Sequence, residues 1–543
     1  MTYTVTIVID LSALALFFLL LSLLESQRKR KGLRYPPGPF PLPIVGNLFD
    51  IPSERSWLVY TEWGKTYGDI TSAQVFGHVL VVLNSAKAAR DLLEKRAAIY
   101  SGRPAIPFFD LQVISPHLYI SVAEQNHRMR WNPWFVLSSP ITPMWRLRRK
   151  MLDRGLRPSA AVQFRPMQKE KVHDFLKHLL SQPQNFRHHI EYLQGAIIMS
   201  IVYGYDVEGY NDVYLKTALA ANAIGQAGVL PGSVLVNALS LLKYLPGWLP
   251  GMGFQTLARE GERLGNDMVN RPFQLVKDNM RHGTARPSVT QINLLELENI
   301  CDAVEFKKGE RAIAEASGSL YLAGADTTSS AIGFLFNALA LYPDVQRKAQ
   351  AEIDAVTGGR RLPAFEDRSR LPYVEALCKE VLRWRIVSPA GMPHMVVQDD
   401  VHERYFIPKG ATVISNIWAI LHDARVYPDP DEFKPERFLT ADGRPCDDPA
   451  LALVFGFGKR VCPGRHIAGD TLFIVAASIL ATYTIGKAKD AQGHDIPVGN
   501  SYRGAITSHP EEFKCSIVPR SGKAEELITG SGGDEHEMHV WSG

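Results

Sequence analysis

The sequence predicts a mainly α-helical protein with small β-sheets, preceded by one N-terminal transmembrane helix. Helical periodicity dominates residues 145–341 and returns in shorter segments after them, whereas strand-like alternation is confined to short runs. Residues 5–24 form a nearly continuous apolar run that is long enough, at helical rise, to cross the core of a bilayer. No stretch between residues 44 and 520 has the composition of an interdomain linker, so we expect one large body.

The charges around the apolar run predict its orientation. Residues 25–34 contain five Lys or Arg residues, and none precedes the run. Positive charge on this side keeps the following chain in the cytoplasm, whereas a cleavable signal peptide carries its positive charge before the run. We therefore expect an uncleaved anchor, in preference to a cleaved signal peptide or a buried core helix. Five prolines within residues 36–43 then predict a stiff, extended hinge.

Composition excludes several classes of protein. Hydrophobic residues make up 46% of the chain and charged residues 21%, which is the balance of a folded protein. The formal net charge of +4 is too small to indicate nucleic-acid binding by itself. The chain has five cysteines, and no two of them have CxxC spacing, so neither a disulfide scaffold nor a structural zinc site is expected.

The window 455–464 carries the strongest chemical signal. Two glycines precede Cys462, and Pro463 is a favoured first residue of a helix. We expect the free N–H groups and the positive dipole end of that helix to favour a thiolate at Cys462. Such a thiolate is either a nucleophile or a metal ligand, but no pattern of a catalytic base accompanies it. As a lone ligand it requires a polydentate cofactor, and a haem iron fits.

The neighbours of Cys462 suit a haem. Phe455 is expected to pack beside the sulfur, and Arg460 to pair with a haem propionate. Gly458 and Gly464 are expected to let the backbone approach a flat macrocycle closely.

With these residues the sequence resembles the cytochrome P-450 superfamily of haem-thiolate monooxygenases, because the window matches the pattern FxxGxRxCxG at every fixed position. It is most similar to microsomal-type members, and among them to fungal secondary-metabolism members such as the O-methylsterigmatocystin oxidoreductase-like group. The resemblance covers roughly residues 36–520. It implies the cytochrome P-450 fold, a single large helical body around a buried haem.

The chain then divides into four parts. A membrane anchor and its flank occupy residues 1–27, and the basic stretch and proline-rich hinge occupy 28–43. The haem-thiolate monooxygenase domain occupies 44–520, with an apparent insertion at 134–143 that is either a natural lid or a gene-model artefact. The tail at 521–543 is predicted to be disordered, because it is rich in glycine and acidic residues.

Three further windows match the family. In the window 323–328, the Thr327 hydroxyl is expected to bond back to the carbonyl of Ala323 and bend the helix. The resemblance adds that Thr327 and Asp326 relay protons to dioxygen, and that Gly324 leaves room for oxygen and substrate. Thr328 is a candidate for the substrate pocket.

The second window contains Glu380 and Arg383, which share one helix face. On spacing alone a surface pair is expected, but the family pattern ExxR implies a buried charge network completed by Arg437. The third contains Trp145 and Arg149, which resemble the WxxxR helix that meets a haem propionate.

His394 stands at another position that often contacts a propionate in the family; by itself a lone histidine is equally well explained as a core or an exposed residue. The remaining pocket candidates are Ala323, Val387, Ala390 and Tyr502.

The resemblance implies that one atom of dioxygen is inserted into a small lipophilic substrate of a fungal-type secondary-metabolite pathway. The sequence has no flavin or dinucleotide motif, so electrons are expected from a separate NADPH-cytochrome P-450 reductase, with cytochrome b5 as an alternative donor. The expected location is the endoplasmic reticulum membrane, facing the cytoplasm, without nucleic-acid partners. Two alternatives stay open: a haem-thiolate isomerase or dehydratase, and a haem-binding protein impaired by the insertion.

Overall fold

The computed structural model describes residues 32–530, with gaps at 53, 105, 107, 109–138, 230–235, 237–241, 243, 301 and 505. In these ranges the chain is mainly helical with small sheets, which confirms the predicted class. The helices are α1 (Ser56–Tyr67), α2 (Ala86–Ala89), α3 (Ala97–Tyr100), α4 (Pro143–Leu156), α5 (Pro158–Ala161), α6 (Arg165–Ser181), α7 (Phe186–Tyr203), α8 (Val213–Val229), α9 (Phe254–Arg281), α10 (Val289–Leu297), α11 (Ala303–Leu341), α12 (Pro343–Thr357), α13 (Pro372–Trp384), α14 (Ile417–Leu421), α15 (Arg465–Thr482) and α16 (Gly522–Thr529).

The strands form one sheet of four strands and three pairs. They are β1 (Ile70–Val75), β2 (His78–Leu83), β3 (His394–Met395), β4 (Asp400–His402), β5 (Tyr405–Ile407), β6 (Thr412–Ser415), β7 (Tyr483–Lys487), β8 (Tyr502–Arg503), β9 (His509–Pro510) and β10 (Cys515–Pro519). The four-stranded sheet has the order β1-β2-β6-β3. Because β3 pairs with β6, this sheet fixes the position of His394.

Helix α11 is the central element of the body. Asp302 caps its start by accepting hydrogen bonds from the backbone N–H groups of Val304 and Glu305. The helix packs against α4, α7, α9, α10 and α15. A helix covered on all sides has to be apolar around its whole circumference. Residues 331–341 of α11 are apolar apart from Asn337, and 331–340 are buried. This arrangement carries residues 323–328 into the interior.

The tail contains order that its composition does not predict. Residues 522–529 form α16 rather than disordered chain, and Ser521 caps this helix by accepting from the N–H of Ala524. Ile528 is fully buried, and its carbonyl oxygen lies 2.8 Å from His173 Nε2 on α6. Docking against α6 and α15 therefore orders a segment that its glycine-rich neighbourhood suggested was disordered. Residues 531–543 lie outside the described residues.

Two predicted features fall wholly or partly outside the described chain. None of the described helices combines the length and apolar character needed to cross a membrane, and the predicted anchor at residues 5–24 is not among them. Of the predicted insertion, residues 134–138 are also outside. Its last residues are an integral part of α4, since Pro143 begins the helix and Thr142 caps it.

Shortening the buried side chain of α16 should weaken its docking. We expect Ile528→Ala to lower the free energy of unfolding by about 2 kcal/mol, because a buried methyl-rich side chain is replaced by a cavity. Thermal and urea unfolding of the full chain measure the change. Glu526→Ala, on the exposed face of the same helix, is the control; equal stability of both variants would show that α16 does not dock.

Candidate active site

A cavity of about 400 Å³ lies where α7, α8, α11 and α15 meet the segments 387–394 and 453–464. It brings together thirteen of the sequence-predicted residues. These are Trp145, Arg149, Ala323, Gly324, Asp326, Thr327, Thr328, Val387, His394, Phe455, Arg460, Cys462 and Gly464. Residues far apart in the chain therefore share one site.

Two predicted pocket residues lie elsewhere. Ala390 is buried but is not part of the cavity wall, and Tyr502 stacks on Trp57 with their ring centroids 6.0 Å apart. The side chains that line the cavity instead are Ser388 and, from the turn after β8, Ile506 and Thr507. Both predictions failed because they identified the right turn but not which of its side chains faces inward.

The loop before α15 holds Cys462 at the cavity wall. The backbone N–H of Cys462 donates to the carbonyl oxygen of Phe455 at 2.7 Å, which closes the loop. Helix α15 begins at Arg465 with Gly464 as its N-cap, so the prediction that Pro463 is the first helical residue was wrong. The backbone N–H groups of Gly464 and Arg465 nevertheless hydrogen-bond the sulfur, as the predicted helix end requires.

The protonation state of this thiol depends on two opposing effects. Burial raises the pKa of Cys462 above its usual value, and it outweighs the backbone N–H groups and the charges of Arg149 and Arg465, which lower it. The helix end favours the thiolate, as predicted, but burial opposes it more strongly. Coordination to a metal cation deprotonates a thiol, so a bound iron would favour the thiolate at this sulfur.

Gly458 has a different role from the one predicted. Its backbone has φ of +48°, and a Cβ added there would lie 2.8 Å from the carbonyl oxygen of Leu93. It is not part of the cavity wall. The glycine is needed for close packing against the residues 90–95, which form a π-helix, and not for approach to a macrocycle.

Two buried arginines, Arg460 and Arg103, and the half-buried Arg149 lie on one side of the cavity; the sequence interpretation missed Arg103. Arg460 donates to the carbonyl oxygens of Ser101 at 3.0 Å and Ser139 at 2.8 Å. Its guanidinium lies 4.6 Å from the ring centroid of Trp145. Backbone carbonyls and an aromatic face thus hold these cations in place.

The arginines also repel one another. Burial, and then the charge of Arg460, lower the pKa of Arg103 to about 9. Burial, and then the charge of Arg149, lower the pKa of Arg460 to about 10. A cluster whose members destabilise each other's charged forms is a strong binding site for an anion. The two carboxylates of a haem match this requirement.

His394 is buried at the same side of the cavity. Its Nδ1 lies 2.7 Å from the carbonyl oxygen of Tyr100, and burial, followed by the charge of Arg103, lowers its pKa to about 3. The ring is therefore neutral, with the proton on Nδ1 because a carbonyl only accepts. Nε2 is then an acceptor, so the predicted contact of His394 with a propionate requires the carboxylate to induce protonation of the ring.

The middle of α11 is shaped by two side chains. The Thr327 hydroxyl donates to the carbonyl oxygen of Ala323 at 3.0 Å, as predicted. Gln194 on α7 donates to the carbonyl oxygen of Gly324 at 2.8 Å. These bonds engage two carbonyl groups in the middle of α11, and they leave the lone pairs of the Thr327 oxygen available in the cavity wall.

Gly324 lines the cavity, where the prediction placed it, and it also serves packing. A Cβ added there would lie 2.5 Å from Cδ1 of Ile198 on α7. The glycine therefore allows α7 to pack closely against α11, and Ile198 lines the cavity beside it.

Asp326 is held away from the other charged groups of the cavity. Its Oδ1 lies 3.2 Å from Nε2 of His509, and its Oδ2 accepts from Gln226 on α8 at 3.0 Å. Burial raises the pKa of this carboxyl, but hydrogen bonds from His509, Asn222 and Thr507 outweigh burial, so the net pKa is lowered. Asp326 is thus an ionised base at neutral pH.

Behind the cysteine loop, Glu380, Arg383 and Arg437 form the predicted charge network. Both oxygens of Glu380 accept from Arg383, at 2.6 and 2.8 Å, and both side chains are completely buried. Arg437 Nε lies 3.4 Å from Glu380 Oε1, which also accepts from the backbone N–H of Lys434 at 2.9 Å. The interpretation of ExxR as a surface pair is therefore excluded.

The residues of this cavity fit an iron porphyrin. A single cysteine sulfur lies in one wall, three arginines lie at one side, and aliphatic side chains such as Ile198 and Leu320 cover much of the rest. Within the described ranges, no three His, Cys, Asp or Glu side chains converge to hold a metal by themselves. The site therefore has the character of a haem-thiolate protein.

Comparison with known proteins agrees with this class. The family model for cytochrome P450 matches residues 36–516. Cytochrome P450 monooxygenase COX2 of Coprinopsis cinerea is 39% identical over 501 residues, covering 92% of each chain. Cytochrome P450 monooxygenase claR of Ampulloclitocybe clavipes is 38% identical over 531 residues, 97% of this chain and 94% of the relative. Tryptamine 4-monooxygenase of Psilocybe cyanescens is 36% identical over 512 residues, 93% and 96%. The chain belongs to the cytochrome P450 family and is an oxygenase.

Removing the shared carboxylate should destabilise the body. We expect Glu380→Gln to cost about 3–5 kcal/mol in the free energy of unfolding, because it leaves the buried guanidinium of Arg383 without a counter-charge. Urea denaturation followed by circular dichroism measures the loss. Glu62→Gln breaks a pair with Lys65 in which both side chains are 68% exposed, and it should change stability by less than about 1 kcal/mol. Similar losses in both variants would contradict the role of burial.

Proposed function

We propose that the protein is a membrane-anchored monooxygenase that inserts one oxygen atom from dioxygen into a small lipophilic substrate of a fungal-type secondary-metabolite pathway. The observation that carries the proposal is the cavity wall, in which Cys462 and Thr327 lie together among aliphatic side chains. Such a wall favours an apolar substrate by excluding water from it. The relatives from three fungi, one of them a tryptamine 4-monooxygenase, support the reaction class.

The residues of the cavity have different proposed roles. Cys462 would ligate the iron, while Arg103, Arg149 and Arg460 would bind the haem carboxylates. When bound, the haem supplies the redox chemistry that splits dioxygen and transfers one of its atoms. The hydroxyl oxygen of Thr327, whose proton is donated to the carbonyl of Ala323, is a hydrogen-bond acceptor in the cavity wall.

Ser388 is a candidate to orient the substrate. It lines the cavity, and its buried hydroxyl has no hydrogen-bond partner among the described residues. A polar group of the substrate would satisfy this hydroxyl at little cost, since nothing has to be displaced.

A separate NADPH-dependent flavoprotein reductase is proposed as the electron source, at the cytoplasmic face of the endoplasmic reticulum. The apolar run at 5–24 supports an anchor. Three large apolar side chains are exposed on the surface of the body: Phe40 is 87% exposed, Ile44 84% and Trp248 80%. Exposed apolar side chains of this size support contact of the body with lipid. Membrane fractionation of a full-length fusion tests the location, and release of the protein by salt alone would contradict the anchor.

The first test of the proposal is spectroscopic. The reduced protein with carbon monoxide should show the strongly red-shifted Soret band of a thiolate-ligated haem, and Cys462→Ser should lose it. Metabolite profiling of a host that expresses the chain with a reductase then identifies the product. A product that forms without NADPH would contradict a monooxygenase and indicate an isomerase or dehydratase instead, because only the monooxygenase needs electrons.

Thr327→Ala should lower the fraction of NADPH electrons that reach the product by about tenfold or more, because the hydroxyl that helps deliver protons is lost. The measurement is product formed per NADPH consumed, together with hydrogen peroxide released. Thr217→Ala is the matched control, since Thr217 also donates to the carbonyl four residues earlier, at 2.7 Å, but on the surface. Unchanged coupling in the Thr327 variant would contradict the proposed role.

A further inference from the structure

Asp326 lines the cavity and is bound by polar side chains from two neighbouring segments. Gln226 and Asn222 reach it from α8, and Thr507 and His509 reach it from the turn that enters β9. Four donors orient the carboxylate. Of these donors, only the imidazole of His509 has both a protonated cationic form and a neutral form, so it alone can carry a proton.

The segment that carries His509 is rigidly attached. Ser508 is buried; its backbone N–H donates to the carbonyl oxygen of Val387 at 2.8 Å, and its hydroxyl donates to that of Ile386 at 2.6 Å. Its own carbonyl oxygen accepts from the hydroxyl of Ser330 on α11. A histidine next to such an anchor keeps a fixed distance from α11.

The two members of the pair face different environments. Asp326 and Thr507 line the cavity, whereas His509 is not part of the cavity wall. The side chain of Asp326 is 16% exposed and that of His509 is 31% exposed. One end of the pair therefore opens to the cavity and the other opens outward.

We propose that His509 is the point at which protons enter this protein, passing them from outer solvent to Asp326 and so to the cavity wall that contains Thr327. The inference rests on the proposed function, because an oxygenase that reduces one oxygen atom to water consumes protons in every turnover. It assigns a positioning and relay role to a residue outside the cavity.

The transfer conserves atoms and charge. The protonated imidazole gives the proton on Nε2 to Oδ1 of Asp326, so an N–H bond breaks and an O–H bond forms. Neutral His509 is then reprotonated by a hydronium ion of the outer solvent, which becomes water. Nothing is oxidised or reduced. Since hydrogen bonds hold the pKa of Asp326 below its usual range, the acid form is short-lived and passes its proton on.

Five charged groups lie near His509. Asp326 on α11 is 3.2 Å away, and Arg503 on β8 stands opposite His509 in the strand register. Arg187 on α7 donates to the carbonyl oxygen of Glu511, and the carboxylate of Glu511 is paired with Arg55 at 2.9 Å. Among these groups, only Asp326 makes a direct polar contact with the imidazole in the described chain.

The decisive variant is His509→Gln in the holoenzyme. Glutamine retains a hydrogen-bond donor for Asp326 but cannot carry a proton. With reductase, NADPH and the substrate found by profiling, we expect the rate of product formation to fall about tenfold or more and the solvent deuterium isotope effect to rise. His494→Gln is the matched control: it removes a histidine 3.4 Å from Asp490 on the surface, and it should change neither.

Two measurements do not depend on turnover. The infrared stretch of carbon monoxide bound to the reduced protein should differ between wild type and His509→Gln, because the variant replaces the imidazole that faces Asp326. Hydrogen exchange of α8 and residues 506–510 should stay unchanged in the variant.

Each other result overturns the inference. A wild-type rate or an unchanged isotope effect in His509→Gln would mean that protons enter elsewhere, and faster exchange of α8 would mean that the residue is only structural. Absence of the red-shifted carbon monoxide band or of NADPH-dependent product in wild type would instead overturn the proposed function itself.

Discussion

A single buried carboxylate, Glu380, organises the half of the protein that carries Cys462. It binds Arg383 on its own helix and lies beside Arg437, and α13 packs against both the turn Leu451–Phe455 and α15. The cysteine loop therefore lies between the turn Leu451–Phe455 and α15, and both of these elements pack against α13. A buried ion pair is expensive to desolvate, so its value is that it specifies a single packing of these elements rather than that it adds stability.

In the cavity, by contrast, like charges repel one another, and this repulsion destabilises the folded protein. Arg103, Arg149 and Arg460 are held close together, and burial together with mutual repulsion lowers the pKa values of Arg103 and Arg460. An anion that binds there removes this repulsion. Binding of haem is then linked to folding, because a ligand that binds only the native state stabilises it by mass action. The residues proposed to bind the cofactor would then make the folded protein depend on it.

The sequence predicted those parts that depend on local spacing. Helical periodicity identified the body, and the bond from Thr327 to a carbonyl one turn earlier follows from helix geometry alone. Arg103 and His509 were missed because their roles depend on which distant segments meet, and a single sequence contains no signal for that. Tyr502 was misplaced since the direction of a side chain in a turn is set by tertiary contacts, and the helix at 522–529 is ordered only by docking.

The contacts of Asp326 also limit how this enzyme can change. One oxygen of its carboxylate is bound by Gln226 on α8, and the other faces His509. A substitution in α8 that admits a bulkier substrate would release one side of the carboxylate and disturb the other. With the proposed role of Asp326 in proton delivery, substrate selectivity and catalytic efficiency would be coupled through one side chain. Divergence of substrate range from such an ancestor is expected to require paired substitutions, in α8 and in the turn before β9, rather than single steps.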